Sequence, residues 1–183
     1  MRLEEELIGH VASFLRRPAI ITSPTGPIER SIPEFRVAQF NPRDANEAWV
    51  YASIGAWRIA SSSRYEYLIT APYADTIHVE TLAMVANFHA DPRYGAPEGK
   101  VLNIGRPWLD RSACTSLLVS LPYQFGPALE RFESNGVRVR FMWLVPITDA
   151  EATFALEHGV SALESRLEAA RVDTLDADRR SVI

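Results

Sequence analysis

One stretch in the last third of the chain, VRVRFMWLVPITDAEATFALEHG (137–159), decides the fold. In its first half apolar residues alternate with arginine, a period of two that is typical of a strand with one buried face. We therefore expect Val139, Phe141 and Trp143 to be buried together. The opposite face becomes apolar at Met142, which predicts that the strand enters the middle of a sheet there.

The second half of the stretch predicts a helix. Pro146 should end the strand, because proline has no backbone N–H to donate to a sheet. Thr148 and Glu151 have the spacing of a capping box, in which each side chain bonds the other residue's backbone. We expect the helix to begin there and to run to about Ala170.

Outward from this stretch, periodicity and breakers predict the other elements. Residues 2–16 form an amphipathic helix that ends before Pro18, and Asp75 to His89 form a second helix. Strands are expected at 19–22, 35–40, 49–54, 65–71, 101–104 and 115–121, with a polar turn at 61–63 and a loop with a helical turn at 123–135. This order predicts an α+β fold, a mixed and mainly antiparallel sheet with helices packed on it.

Composition limits the class of protein. The 183 residues suit one domain over the whole chain, with two small lobes as the alternative. A net charge of −4 argues against general nucleic-acid binding. No apolar run approaches the roughly 20 residues of a membrane helix, and the acidic start is unlike a signal peptide. We expect a cytoplasmic protein that binds neither nucleic acid nor membrane; the oligomeric state stays open.

The sequence predicts no catalytic residue, no metal site and no cofactor. His78 and His89 share a helical stripe but lie eleven residues apart, about 16 Å along a continuous helix, which is too far to share one zinc ion. Gly95 to Val101 departs from the phosphate-loop pattern in its spacing and its final residue. Cys114, the only cysteine, precedes an apolar strand and is more typical of a core thiol than of a nucleophile.

Large aromatic residues are the more suggestive feature. Most should belong to the core. Trp57, Trp108 and Tyr123, however, lie in stretches rich in turn residues and close to arginines, and tryptophan, tyrosine and arginine are the preferred anchors of protein interfaces. These three residues are therefore candidate binding residues outside the core.

Three segments in order resemble the suppressor of fused domain family. WVYASIG (49–55) is similar to its "Y-x-S/T-x-G" segment, and YEYLI (65–69) to the strand that follows it. LVPITDAEATF (144–154), continued by Gly159 and Leu163, resembles its "V-P-I-T-x-x-E" strand-to-helix segment. The resemblance begins at about residue 35. Gly55-Ala-Trp57 replaces the "G-L-S" ending of the first segment, so a two-domain peptide clamp is not assumed.

The resemblance implies a compact domain without known catalytic activity. Eukaryotic members of the family hold a transcription factor as an extended peptide, and bacterial single-domain members are commonly taken to be immunity proteins of toxin systems. It also implies that Tyr51 is a groove residue.

The leading hypothesis is a non-enzymatic module that binds a protein partner, an immunity protein that neutralises a toxin. One alternative is an enzyme or small-molecule binder with a site assembled from His78, His89, Asp91 and Arg106. Another is a scaffold that binds an extended peptide by strand addition.

Overall fold

The structure is a computed structural model that describes residues 2–59 and 64–183, so the polar turn expected at 61–63 lies outside the described residues. In chain order the elements are α1 (Leu3–Leu15), β1 (Ala19–Thr22), α2 (Pro27–Ser31), β2 (Arg36–Phe40), β3 (Trp49–Ile54), a 3-10 helix (Ala56–Arg58), β4 (Tyr65–Ala71), α3 (Thr76–Ala90), β5 (Val101–Asn103), β6 (Cys114–Ser120), α4 (Pro127–Glu130), β7 (Arg131–Ser134), β8 (Val137–Thr148), α5 (Asp149–His158) and α6 (Val160–Ala169).

The described chain divides into two compact units. The first contains the residues up to Glu98 together with Leu121–Trp143, and the second contains Gly99–Ser120 and Leu144–Ile183. Strand β8 contributes its first part to the first unit and its last part to the second.

The first unit is built on strands in the order β1-β2-β3-β4-β8, with β7 also paired to β8. These pairs are antiparallel except for β4 and β8, which are parallel. A mixed, mainly antiparallel sheet with helices is what the sequence predicts, and this fold class is confirmed. The core on the α1 side of the sheet consists of Leu7, Val11, Leu15, Ala38, Phe40, Val50, Ala52, Ile54, Leu68, Leu129, Phe132, Val139 and Phe141.

Helix α3 packs against β3 and β4. Asp75 caps its N-terminus by accepting a hydrogen bond from the backbone of Ile77 at 2.9 Å. The apolar stripe expected on this helix, with His78 and His89 included, is buried. Alternation along β3 turns Tyr51 away from the Ala52 side, so that its ring lies 4.9 Å from that of His78.

In the second unit β5 pairs antiparallel with β6, and β6 lies next to β8. The capping box expected at the start of α5 is present, because Glu151 N donates to Thr148 Oγ1 and Thr148 N donates to Glu151 Oε2. Helix α5 packs against β6 and α6.

Four details of the expected elements are wrong. The strand does not end at Pro146 but continues to Thr148, because a proline still offers its carbonyl, and Pro146 O accepts a hydrogen bond from Arg179 at 2.8 Å. The long final helix is two helices, separated at Gly159 (φ +92°). The segment 123–135 contains β7 as well as a helical turn, because β7 needs β8 as a partner that local sequence does not reveal. Trp143 is half-buried, whereas Val139 and Phe141 are buried as expected.

Candidate protein-binding groove

An open groove of about 750 Å³ lies beside α3 in the first unit. Its walls come from the end of β1 and the segment after it, from the start of α2 and from one side of α3, and Gln39 and Tyr51 lie at its base. Helix α3 packs on β3, β4 and part of β2, so β1 at the edge of the sheet is left uncovered on this face. Ile20, in β1, is accordingly 50% exposed.

The groove combines apolar walls with acidic charge. Val79, Ala83 and Met84 supply apolar surface from α3. Among the described residues that line the groove, the charged ones are Asp75 and Glu80. Asp75 is partly engaged in capping α3, whereas Glu80 is exposed and none of the described residues forms an ion pair with it.

Tyr51 forms part of the base of the groove. Its side chain is buried, and burial raises the pKa of its hydroxyl, an effect that the nearby backbone amide of Asp75 opposes. The tilted contact with His78 fixes the ring under α3. Tyr51 is therefore a structural base for the groove rather than an exposed anchor.

The two histidines of α3 form the interior layer between this helix and the sheet. Nδ1 of His89 accepts a hydrogen bond from the backbone of Ala96 at 3.0 Å, and the hydroxyl of Tyr67 donates to Ala96 O at 2.9 Å. Burial lowers the pKa of His89, so the ring is neutral around pH 7. Because α3 is unbroken between His78 and His89, the distance argument against a shared metal ion applies.

The alternative site of His78, His89, Asp91 and Arg106 is not assembled around a cavity in the first unit. The histidines are buried, while Asp91 is exposed to solvent on one side and forms an ion pair with Arg93 at 2.6 Å. Hydrogen bonds from Arg93 hold the pKa of Asp91 at about 2. Arg106 belongs to the second unit, where its guanidinium donates to Pro107 O at 3.2 Å. No group of three potential ligands suited to a metal ion occurs among the described residues.

The four aromatic residues predicted to bind a partner have different surroundings. Tyr51 is buried in β3, and Trp57 is partly buried in the 3-10 helix, where Arg58 and Arg64 lie over its ring at 6.0 and 5.8 Å. Tyr123 is 63% exposed. Trp108 is only 1% exposed, so the expectation that it lies outside the core is wrong. Trp108 N donates a hydrogen bond to Cys114 O at 2.8 Å, which joins this loop to β6. The turn-rich sequence around Trp108 does not indicate this contact with the strand.

The first two segments of the resemblance meet at Glu66. This fully buried carboxyl group accepts hydrogen bonds from Gly55 N at 2.6 Å and from Trp57 N at 3.4 Å. It also accepts one from the hydroxyl of Ser53, which in turn accepts from Tyr67 N at 2.8 Å. Gly55 has φ +120°, a conformation that L side chains rarely adopt. The serine, the glycine and the glutamate of these segments thus hold the turn after β3.

The third segment is held by a buried ion pair. Arg179 donates to both carboxylate oxygens of Glu151, at 2.8 and 2.7 Å, and Val182 N donates to the same side chain at 3.0 Å. The C-terminal residues are thereby fastened to the start of α5 within the second unit. Cys114 is buried in this unit too, and burial raises the pKa of its thiol, as expected for a core residue.

Sequence reasoning missed the groove residues Glu80 and Met84. Two signals in the sequence could have indicated the groove. The first is that α3 carries Val79 and Met84 outside the stripe that packs on the sheet, so it has more apolar surface than one buried face requires. The other signal is the uncharged segment Ala19–Thr22, which lies between two prolines.

The fold is that of an α+β protein. Its buried polar residues, among them Glu66 and Glu151, hold a turn and a helix start in place. The sequence model of the suppressor of fused protein (SUFU) family matches residues 33–180, so the chain belongs to the suppressor of fused family. No curated protein sequence matches it significantly.

Solved structures agree with this family. A SUFU homologue from Neisseria gonorrhoeae is 34% identical, with a TM-score of 0.87 over 98% of this chain and 96% of that chain. A chain of the Sufu–Fu complex is 14% identical, with a TM-score of 0.74 over 97% of this chain and 91% of that one. Drosophila suppressor of fused is 15% identical, with a TM-score of 0.72; the match covers 96% of this chain and 50% of that one. The last two likenesses concern the fold alone.

Proposed function

We propose that this chain is a cytoplasmic protein-binding module whose partner is a protein toxin that it neutralises. The observation that carries the proposal is the open groove of the first unit, because it leaves apolar and acidic side chains uncovered beside an exposed strand. A groove of this kind suits a partner that fills it.

The family supports protein binding. A relative with the same fold has been crystallised as the Sufu–Fu complex. In this chain, the residues that could have suggested chemistry have structural roles instead: His89 accepts a backbone hydrogen bond, Glu66 holds a turn, and Glu151 caps a helix. None of the helices in the described part of the chain combines the length and the apolar character that crossing a bilayer requires.

Charge favours a basic target. The chain carries a net charge of −4, and complementary charge accelerates the association of two proteins. A basic toxin such as a nuclease would be attracted at long range and then held by short-range contacts in the groove.

The test is co-expression with the product of the gene adjacent to the one that encodes this chain. That product alone should inhibit growth, co-expression of this chain should restore it, and the two purified proteins should form a stoichiometric complex. A control variant, Glu157→Gln, changes an exposed side chain of the second unit and should protect as well as the original chain. Growth inhibition that this chain does not relieve, without complex formation, would contradict the proposal.

A further inference from the structure

Strand β1 has an open edge in the first unit. It pairs with β2 on one side, and none of the described strands pairs with its other side. Its sequence, AIIT, carries no charge, and Ile20 and Ile21 are 50% and 41% exposed. Natural edge strands are normally protected by charges, bulges or a covering segment, because an uncharged edge invites further pairing. Here Pro18 and Pro24 limit the open edge to about four residues.

The strand register shows where an added strand would place its side chains. Ile20 pairs with Gln39, and Gln39 pairs with Tyr51, so these three side chains share the face on which the groove lies. Ile21 pairs with Ala38, which belongs to the core on the α1 side. Alternate side chains of a strand beside β1 would therefore lie next to the groove, and the others next to Ile21.

From these observations we infer that the edge of β1 and the acidic groove together bind an extended segment of the partner that carries a lysine or arginine. This inference rests on the proposed function, which it refines. Main-chain hydrogen bonds to β1 would supply affinity, and apolar side chains of the segment would cover Val79 and Met84. The cationic side chain would lie near Glu80, the exposed carboxylate of the groove wall.

Charge distinguishes this occupant from a second copy of the chain. A second copy would present another uncharged β1 and another pair of acidic groove residues, and these would repel Asp75 and Glu80. An extended cationic segment would form main-chain hydrogen bonds to the edge of β1 and would pair its positive charge with Glu80.

The probe is a fluorescent, amidated peptide with the sequence Lys-Val-Thr-Val-Lys-Thr, compared with Glu-Val-Thr-Val-Glu-Thr and with an N-methylated form of the first. Anisotropy should show the cationic peptide binding about tenfold more tightly than the acidic one. N-methylation should weaken binding, because it removes main-chain donors. In amide NMR spectra, the cationic peptide should shift the signals of residues 20–22.

Two variants test the role of the charge on Glu80, because both change the net charge of the chain by the same amount. Glu80→Lys should weaken the cationic peptide by about tenfold, whereas Glu157→Lys, an exposed position of the second unit, should change it by less than about twofold. Ile21→Lys should weaken it as well, because a lysine on an edge strand disfavours pairing and repels the probe.

Several results would overturn the inference. These are no binding of the cationic peptide up to about 1 mM, equal binding of the two peptides, or shifted amides remote from β1. A free chain that sediments as a dimer and becomes monomeric on Ile21→Lys would assign the edge to a second copy. If the toxin partner binds Glu80→Lys and Ile21→Lys unchanged, this inference fails while the proposed function stands. If the peptide behaves as expected but no toxin is neutralised, the proposed function fails alone.

Discussion

Glu66 is the buried acceptor at the centre of the turn after β3. Burial raises its pKa to about 8, and the hydrogen bonds from Ser53 and from the backbone of Gly55 and Trp57 oppose this effect. A carboxyl group whose pKa is higher in the folded chain binds more protons there than in the unfolded chain. Its contribution to stability is therefore complete below the ordinary value of 4.5 and is lost as the pH rises through about 8.

We predict that Glu66→Gln removes this pH dependence. In urea unfolding between pH 5 and 9, the free energy of unfolding of the original chain should decline relative to that of the variant as pH rises. Glu157→Gln, at an exposed carboxylate, should retain the decline. Equal slopes for Glu66→Gln and the original chain would show that Glu66 is ionised at neutral pH in the fold.

Trp108, which the sequence predicts at an interface, is buried in the structure, and its replacement tests this burial. Because the side chain is only 1% exposed, Trp108→Ala should lower the free energy of unfolding by about 3–5 kcal/mol. Tyr123→Ala is the matched comparison, since a 63% exposed ring should cost roughly 0.5 kcal/mol or less. Chemical denaturation of both variants decides the matter, and a Trp108→Ala chain as stable as the original would place this ring at the surface.

At the scale of elements, Gly159 divides the final helical segment into α5 and α6. Its φ of +92° and ψ of 151° are accessible to glycine and strained for other residues. No heavy atom lies within 4 Å of the position that a Cβ would occupy, so any cost of substitution comes from the backbone.

Gly159→Ala should therefore destabilise the protein by about 1–3 kcal/mol. Gly9→Ala is the control, because Gly9 is a solvent-exposed residue in the middle of α1, and its Cβ would also meet no atom within 4 Å. There, alanine should stabilise by about 0.5–1 kcal/mol. Thermal melts should move in opposite directions for the two variants; a shift in the same direction would refute the conformational explanation.

The start of α5 and the C-terminal residues form one unit through Glu151 and Arg179. Burial by itself would raise the pKa of Glu151, but hydrogen bonds from Arg179 and from two backbone amides hold it below its ordinary value. The carboxylate therefore stabilises the fold above about pH 4.5, and that contribution is lost as the pH falls through its lowered pKa.

Arg179→Met should cost about 3–5 kcal/mol, because it leaves a buried carboxylate without its cation. Combining it with Glu151→Gln should cost less than the sum of the two single changes. A double-mutant cycle by urea unfolding measures this coupling. Strict additivity would mean that the two side chains do not interact in solution.

At the scale of the whole molecule, the net charge of −4 should affect how the partner arrives. If the toxin is basic, stopped-flow association should slow as ionic strength rises, while dissociation changes little. Glu80→Lys should slow association more than Glu157→Lys, although both change the net charge equally. An association rate independent of salt would indicate a partner without complementary charge.

Elements that depend only on neighbouring residues could be predicted from the amino-acid sequence. Alternation located β3 and most of β8, and β4 was located as the returning strand that Pro72 ends. Helical periodicity located α1 and α3, and the spacing of Thr148 and Glu151 located the start of α5. These features depend on residues close together in the chain. The family could be predicted for the same reason, since its segments are short and local.

Which polar and aromatic side chains are buried depends on contacts between segments far apart in the chain. The partners of Glu66 and Glu151 lie in other segments, such as Ser53 and Arg179, and Trp108 is buried despite its turn-rich surroundings. The groove arises because α3 packs on β3, β4 and part of β2 and leaves β1 uncovered. Burial is a sum over contacts between distant segments, and no local pattern contains that sum.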